Sequence, residues 1–217
     1  KKQKKLYRMA DKITFANQET LDNFNAYYHF EFSSKLTICR FGLSPLEELT
    51  KSTSSKNESK EKLGIPFNSL VITCGYNGAL IQQHREIIES ISKISPRLPR
   101  NLFLIFPMTY GAKSEYIQEI KTKLSRLGIK HLVLEKFMSP EEIAILRKAS
   151  DVMIQVQTTD VLSGSMLEHL YAGNVVITGD WLPYKILDDN HVYLEKVSSV
   201  EQVGERLILV LDRLREL

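Results

Sequence analysis

The sequence predicts an α/β protein, a Rossmann-like parallel sheet with helices on both faces. Three observations predict it. Short apolar runs alternate with amphipathic helical patterns about six times from Ser69 to the C-terminus, the signature of βαβ units. The strand runs are apolar throughout instead of alternating, as strands buried on both sides require. The 217 residues are 43% hydrophobic and 25% charged, which gives a globular chain enough apolar material for a sizeable core.

Each element follows from its local pattern. Leu6–Ala10 reads as the end of a helix and Lys12–Ala16 as a short strand. Gln18–Tyr28 is helical, with Leu21, Phe24 and Tyr28 on one face. Leu36–Arg40 is a strand, and Ser44 and Pro45 open a helix as N-cap and first helical residue. Lys51–Ser59 is polar and low in complexity, so it is expected as an exposed loop or linker with a domain boundary near it. Ser69–Cys74, Asn101–Phe106, His131–Leu134, Asp151–Val156 and Val175–Thr178 read as buried strands, and Val192–Leu194 as a last short one. The helices between them bury regular sets: Ile87, Ile88, Ile91 and Ile94 in Gln83–Ile94, and Ile117, Ile120, Leu124 and Leu127 in Glu115–Leu127. Ser139 caps Pro140–Lys148, Gly173 ends Ser165–Ala172 in a left-handed turn, and Val200–Leu214 closes the chain.

The formal charge of +3 is weak, and its surplus gathers at Lys1, Lys2, Lys4, Lys5 and Arg8. Such a cluster suits an anionic surface as well as it suits a solvated, frayed end. Cys39 and Cys74 each sit in an apolar run and read as core residues of a reducing compartment. No ligand spacing for a metal, no zinc motif and no Ser-His-Asp set is present, and no apolar run is long enough to span a bilayer. The chain opens without Met on a polar helical piece, which suggests a fragment of a longer protein.

In a parallel sheet the loops after the strands share one rim, where ligands bind. Here that rim holds Gly75–Gly78, Pro107–Gly111 with Tyr110, Phe137-Met138 and Thr158–Ser165, all rich in glycine, hydroxyls or aromatics. This suits a phosphate, a flat base and sugar hydroxyls. Gly75 and Gly78 read either as a turn against a ligand phosphate or as an ordinary strand-to-helix turn. Ser163-Gly164-Ser165 precedes a helix whose N-terminus would favour a diphosphate. Ser165 and Glu168 also spell S-x-x-E, a capping box, which explains both residues by structure alone. Asp160 and Glu168 form a further pair of carboxylates, and His84 and Arg85 open a helix close enough to reach the rim.

Several of these residues together resemble a known family. They are the glycine turn, Phe137-Met138 before the Ser139-Pro140-Glu141-Glu142 helix, Ala149-Ser150-Asp151-Val152, and the spacing of Asp160 to Glu168. From about Phe41 onward the chain resembles bacterial GT-B glycosyltransferases. It looks most like the C-terminal, nucleotide-sugar-binding half of the family-4-like, glycosyl transferase group 1 enzymes. Asp160–Glu168 is similar to their E-x7-E motif, with Asp in the first position. The resemblance implies that Glu168 binds the donor ribose and that Asp160 lies beside the donor sugar, the two acids being the catalytic candidates. It implies that Ser163, Gly164 and Ser165 meet the diphosphate and that Phe137 and Met138 frame the base. Gly75, Asn77, Arg85 and Tyr110 complete the expected donor site. The family usually carries an Arg and a Lys-Gly pair after the glycine turn. Here Asn77–Arg85 contains no Lys, which leaves Arg85 as the candidate cation. The GYNG, QQH, PMTYG and FM segments are also similar to lipid-linked fucosamine transferases of enterobacterial antigen synthesis.

The resemblance divides the chain into residues 1–42, the tail of an acceptor domain and its crossing, and residues 43–217, the donor domain. It implies transfer of a sugar from a nucleotide-diphosphate sugar to a polysaccharide, glycolipid or lipid-linked acceptor in cell-surface glycan synthesis. No metal, no other cofactor and no nucleic acid are expected. The expected place is the bacterial cytoplasm, with peripheral contact at the inner face of the membrane left open by the basic cluster. The isolated fragment is expected to be inactive. A non-catalytic Rossmann-like nucleotide-binding or scaffolding domain is the alternative, and a nucleotide-sugar epimerase a third.

Overall fold

The structure, a computed structural model, describes residues 2–40, 42 and 44–216. In chain order the elements are α1 (Lys2–Met9), β1 (Ile13–Phe15), α2 (Gln18–Tyr27), β2 (Leu36–Ile38), α3 (Ser44–Lys51), α4 (Lys56–Lys62), β3 (Leu70–Cys74), α5 (His84–Lys93), β4 (Leu102–Pro107), α6 (Ser114–Leu127), β5 (Lys130–Leu134), α7 (Pro140–Ala149), β6 (Val152–Gln155), α8 (Gly164–Tyr171), β7 (Val175–Gly179), α9 (Lys185–Asp189), β8 (Glu195–Val197) and α10 (Val203–Glu216). They form two compact units. The smaller contains residues 1–42, 160–163 and 183–192, and the larger contains the rest.

In the smaller unit β1 and β2 pair in parallel, Ile13 opposite Leu36. Its core is aromatic: the Phe24 ring lies 5.0 Å from Tyr7, 5.0 Å from Phe15 and 4.7 Å from Tyr28. Asn17 caps α2, its Oδ1 accepting from the Thr20 N–H at 2.9 Å. The strand expected over Leu36–Arg40 stops at Ile38, and Cys39 beyond it is exposed, so it is not a core residue.

The larger unit is built on a six-stranded sheet in the order β5-β4-β3-β6-β7-β8, every pair parallel. The chain moves outward from β3 through β4 to β5, returns to β6, and then moves outward the other way. The strand order therefore reverses between β3 and β6, the point at which open α/β sheets bind ligands. One face carries Ile72, Leu104, Phe106, Ile154 and Ile177 against α5, α6 and α10, which contribute Ile87, Ile91, Ile120, Leu124, Val203 and Leu207. On the other face Val71, Phe103 and Ile105 meet Leu146 of α7 and the apolar residues Ile65 and Leu63 that follow α4. Cys74 is buried in the first core, and burial pushes its thiol pKa up.

Three expectations change. Lys51–Ser59 is not all loop, because Ser55 and Glu58 form a reciprocal capping box that starts α4. The last strand forms at Glu195–Val197 instead of Val192–Leu194, beside Ile177–Gly179. Its buried Glu195 is neutralised by Arg206 at 3.0 Å and by Arg213, a polar strand that hydrophobic patterning passes over. Helix α9 was not anticipated. α3 does include Pro45 near its start, but the Ser44 side chain lies outside the described residues.

Candidate functional site

At the switch point, the turn after β3 is closed by the protein itself. Gly75 adopts φ +68°, and a Cβ there would lie 2.8 Å from Gln82 Oε1. A Cβ on Gly78 would lie 2.4 Å from the Ala112 Cβ, and the Gly78 N–H donates to the Tyr110 carbonyl at 2.7 Å. Both glycines thus have a packing reason. Asn77 Oδ1 accepts from the Ala79 N–H at 2.9 Å, an Asx-turn within the same loop. Beneath it runs a neutral polar seam. Gln82 accepts from the Tyr76 N–H at 3.3 Å and donates to Gln157 Oε1 at 2.7 Å, while Trp181 Nε1 donates to the Gln157 carbonyl at 2.9 Å. His84 is fully buried, with Nδ1 3.3 Å from the Tyr116 hydroxyl. Burial pushes its pKa down to about 4.

Arg85, the expected cation, is engaged elsewhere. Its guanidinium pairs with both Glu119 oxygens on the exposed side of α6, at 2.6 and 2.5 Å, over the Tyr116 ring.

The cation found among the first turns of α8 is Arg147, from the last turn of α7. It is 5% exposed, and so is Glu168. Arg147 Nε and Nη2 lie 3.1 and 3.0 Å from Glu168 Oε2, and Nη2 donates to Ser165 Oγ at 2.8 Å. Its third nitrogen, Nη1, is 3.1 Å from His169 Nε2. Asn174 Nδ2 donates to the Arg147 carbonyl at 2.8 Å and lies 2.8 Å from His169 Nδ1. Burial pushes the Arg147 pKa down, and Glu168 opposes that shift most strongly, with Tyr110 contributing. Burial, then the Arg147 charge, push His169 well below its ordinary value, so the ring is neutral. Because α8 begins at Gly164, Ser165 lies inside the helix and is not its cap. The capping box expected of Ser165 and Glu168 is replaced by a shared bond to Arg147.

The remaining expected residues fall into separate groups. Tyr110 follows β4 and is half exposed. Phe137, 80% exposed, and Met138 line a cavity of about 380 Å³ with Lys62, Leu63, Glu142 and Ile145. Asp160 and Ser163 belong to the smaller unit. There the Tyr184 hydroxyl donates to Asp160 Oδ2, and the Val161 N–H donates to Oδ1 at 2.8 Å. Arg147 itself was missed. Its signal was present: it stands three residues after Ala144 and four after Ile143, an arginine on the inward face of a helix.

No family model matches the chain, and no curated protein sequence matches it. Solved structures do. The lipopolysaccharide glycosyltransferase WaaG superposes with a TM-score of 0.73 at 18% identity, over 93% of this chain and 54% of that one. HepE of Anabaena, in complex with UDP and glucose, gives 0.73 at 14% identity, over 95% and 55%. The C-terminal domain of LpcC, a glycosyl transferase group 1 family protein of Francisella tularensis, gives 0.60 at 16% identity, over 74% and 84%. The chain spans about half the length of the first two. Its fold is the Rossmann-like C-terminal half of the GT-B glycosyltransferases.

Proposed function

We propose that this chain is the donor-binding half of a glycosyltransferase that takes its sugar from a nucleotide-diphosphate sugar. The observation that carries the reading is the seating of Ser165 and Glu168, in the first two turns of α8 after β6, on the buried Arg147. A helix N-terminus at the carboxyl end of a parallel strand favours a diphosphate. A carboxylate one turn further accepts hydrogen bonds from ribose hydroxyls. Catalysis would then rest mainly on electrostatic stabilisation of the leaving diphosphate. HepE, which shares the fold, was solved with UDP and glucose and again with UDP-glucose. The acceptor class we assign is a polysaccharide, glycolipid or lipid-linked saccharide of a bacterial cell surface, reached from the cytoplasmic face of the membrane. No helix among the described residues is long and apolar enough to cross it.

Titration calorimetry with UDP, GDP and dTDP tests the reading. One nucleotide is expected to bind, and Glu168→Gln to weaken it by roughly 1–3 kcal/mol, the cost of degrading a hydrogen bond to a charged group. Binding of none of the three overturns the donor site. Donor turnover by this chain alone is expected to be negligible beside that of the full-length enzyme, and robust transfer would overturn that expectation.

A further inference from the structure

Resting on the donor-site reading, we infer that Arg147 is a positioning residue for nucleotide recognition. It holds Glu168 and Ser165 in the geometry that the ribose and diphosphate meet. Three observations point there.

First, the guanidinium of Arg147 faces α8 throughout: Nε and Nη2 bond Glu168, Nη2 bonds Ser165, and Nη1 lies 3.1 Å from His169 Nε2. One side chain thereby fixes residues on two successive turns of the helix. A lysine, with a point charge and no fork, cannot reproduce that pattern.

Second, the arrangement is a poor device for stability alone. Both charges are buried, and a well-packed apolar pair of similar volume commonly serves a fold as well or better. The network also carries a mismatch. Arg147 Nη1 and Asn174 Nδ2 both offer N–H groups to the His169 ring. A neutral imidazole accepts at one nitrogen only, so one of the two contacts goes unmade. Asn174 Oδ1 is itself buried without a partner. Tolerated costs of this kind gather where side-chain geometry serves a site.

Third, the cation expected at this rim does not reach α8. Arg85 is held on Glu119, and the loop from Asn77 to Gln83 carries no Lys or Arg. Arg147, by contrast, bonds Ser165 and Glu168 in the first two turns of α8.

The inference separates from a merely structural role through the ribose. If Arg147 aims Glu168 at the sugar hydroxyls, its loss must weaken hydroxylated nucleotides and spare those without hydroxyls. The experiment titrates UDP, GDP and dTDP, each beside its 2′,3′-dideoxy counterpart, into the native chain and into Arg147→Lys. For the nucleotide that binds, Arg147→Lys is expected to lose about tenfold in affinity, with the dideoxy form unchanged within about twofold. Equal losses for both forms, or no loss for either, overturn the inference and leave the donor site standing. No binding by the native chain overturns the donor site and the inference with it. Should Arg147→Lys fail to fold, Arg147→Gln retains Glu168 while removing the fork. It is expected to show the same loss confined to the hydroxylated form, and equal losses for both forms would again overturn the inference.

Discussion

The two faces of the six-stranded sheet are buried by different means. Against α5, α6 and α10 the sheet presents a continuous apolar layer, Ile72 to Ile177, in which fit is a matter of shape. Against α7 and α8 lie buried polar groups as well: the Thr73 and Ser150 hydroxyls 2.8 Å apart, Thr178 on the Gln155 carbonyl at 2.8 Å, and the cluster of Arg147, Glu168, His169 and Asn174. There, fit is a matter of charge and hydrogen bonding, and the face that spends stability in this way is the one that carries the candidate site. An apolar core and the candidate site thus occupy opposite sides of the same strands.

Removing one member of the buried pair should have the largest consequence. Arg147→Met alone leaves Glu168 buried and uncompensated, and is expected to cost about 3–5 kcal/mol in urea unfolding. Adding Glu168→Leu should restore most of that loss. Two costs that simply add would show that the pair behaves as independent surface charges do. The matching test on the apolar face concerns shape. A Cβ on Gly204 would lie 2.5 Å from the Ser90 carbonyl oxygen of α5. Gly204→Ala should therefore push α10 off α5 and cost about 1–3 kcal/mol. An unchanged unfolding midpoint would mean that this helix contact has slack.

Acid reaches both faces through a buried histidine, His84 among the apolar layer and His169 in the polar one. Each is held neutral, with a folded pKa below its ordinary 6.5, so the unfolded chain binds protons first as pH falls. The stability concerned is complete above about pH 6.5 and is lost on descending toward the folded value. For His84, with that value near 4, the loss between pH 7.5 and pH 5 should be about 2 kcal/mol. His84→Phe should flatten its share of the profile in urea titrations at the two pH values. An equally steep profile would assign the acid sensitivity to other groups.

Much of the apolar face was legible in the sequence, because shape-driven burial writes itself as periodicity. Ile87, Ile91, Ile120, Leu124, Val203 and Leu207 recur at helical spacing and all face inward. The polar face was legible only in part. Glu168 and Ser165 were singled out as residues, but their common partner Arg147 lies eighteen residues before Ser165 and belongs to another helix. No local pattern connects the two, since the link is made by the crossover through β6. Glu195 in β8 and the capping box of Ser55 and Glu58 were passed over for a related reason: each is a polar residue satisfied by a particular partner, which composition does not reveal.

An exposed ion pair should matter far less than the buried one. Arg97 Nη1 lies 2.6 Å from Glu205 Oε1, between the chain just after α5 and helix α10, with both side chains more than half exposed. The contact is shorter than the 3.0 Å between Arg147 and Glu168. Distance alone would rank it the stronger. Water and salt screen it, and each long side chain gives up rotamer freedom to hold it, so Arg97→Ala should cost less than about 1 kcal/mol. That cost should shrink further in molar salt, while the cost of Arg147→Met stays nearly constant. Unfolding curves for both variants at low and high salt make the measurement. If the Arg97 variant proved the more damaging of the two, burial would not be what sets the worth of a charge pair in this fold, and the contrast between the two faces would lose its physical basis.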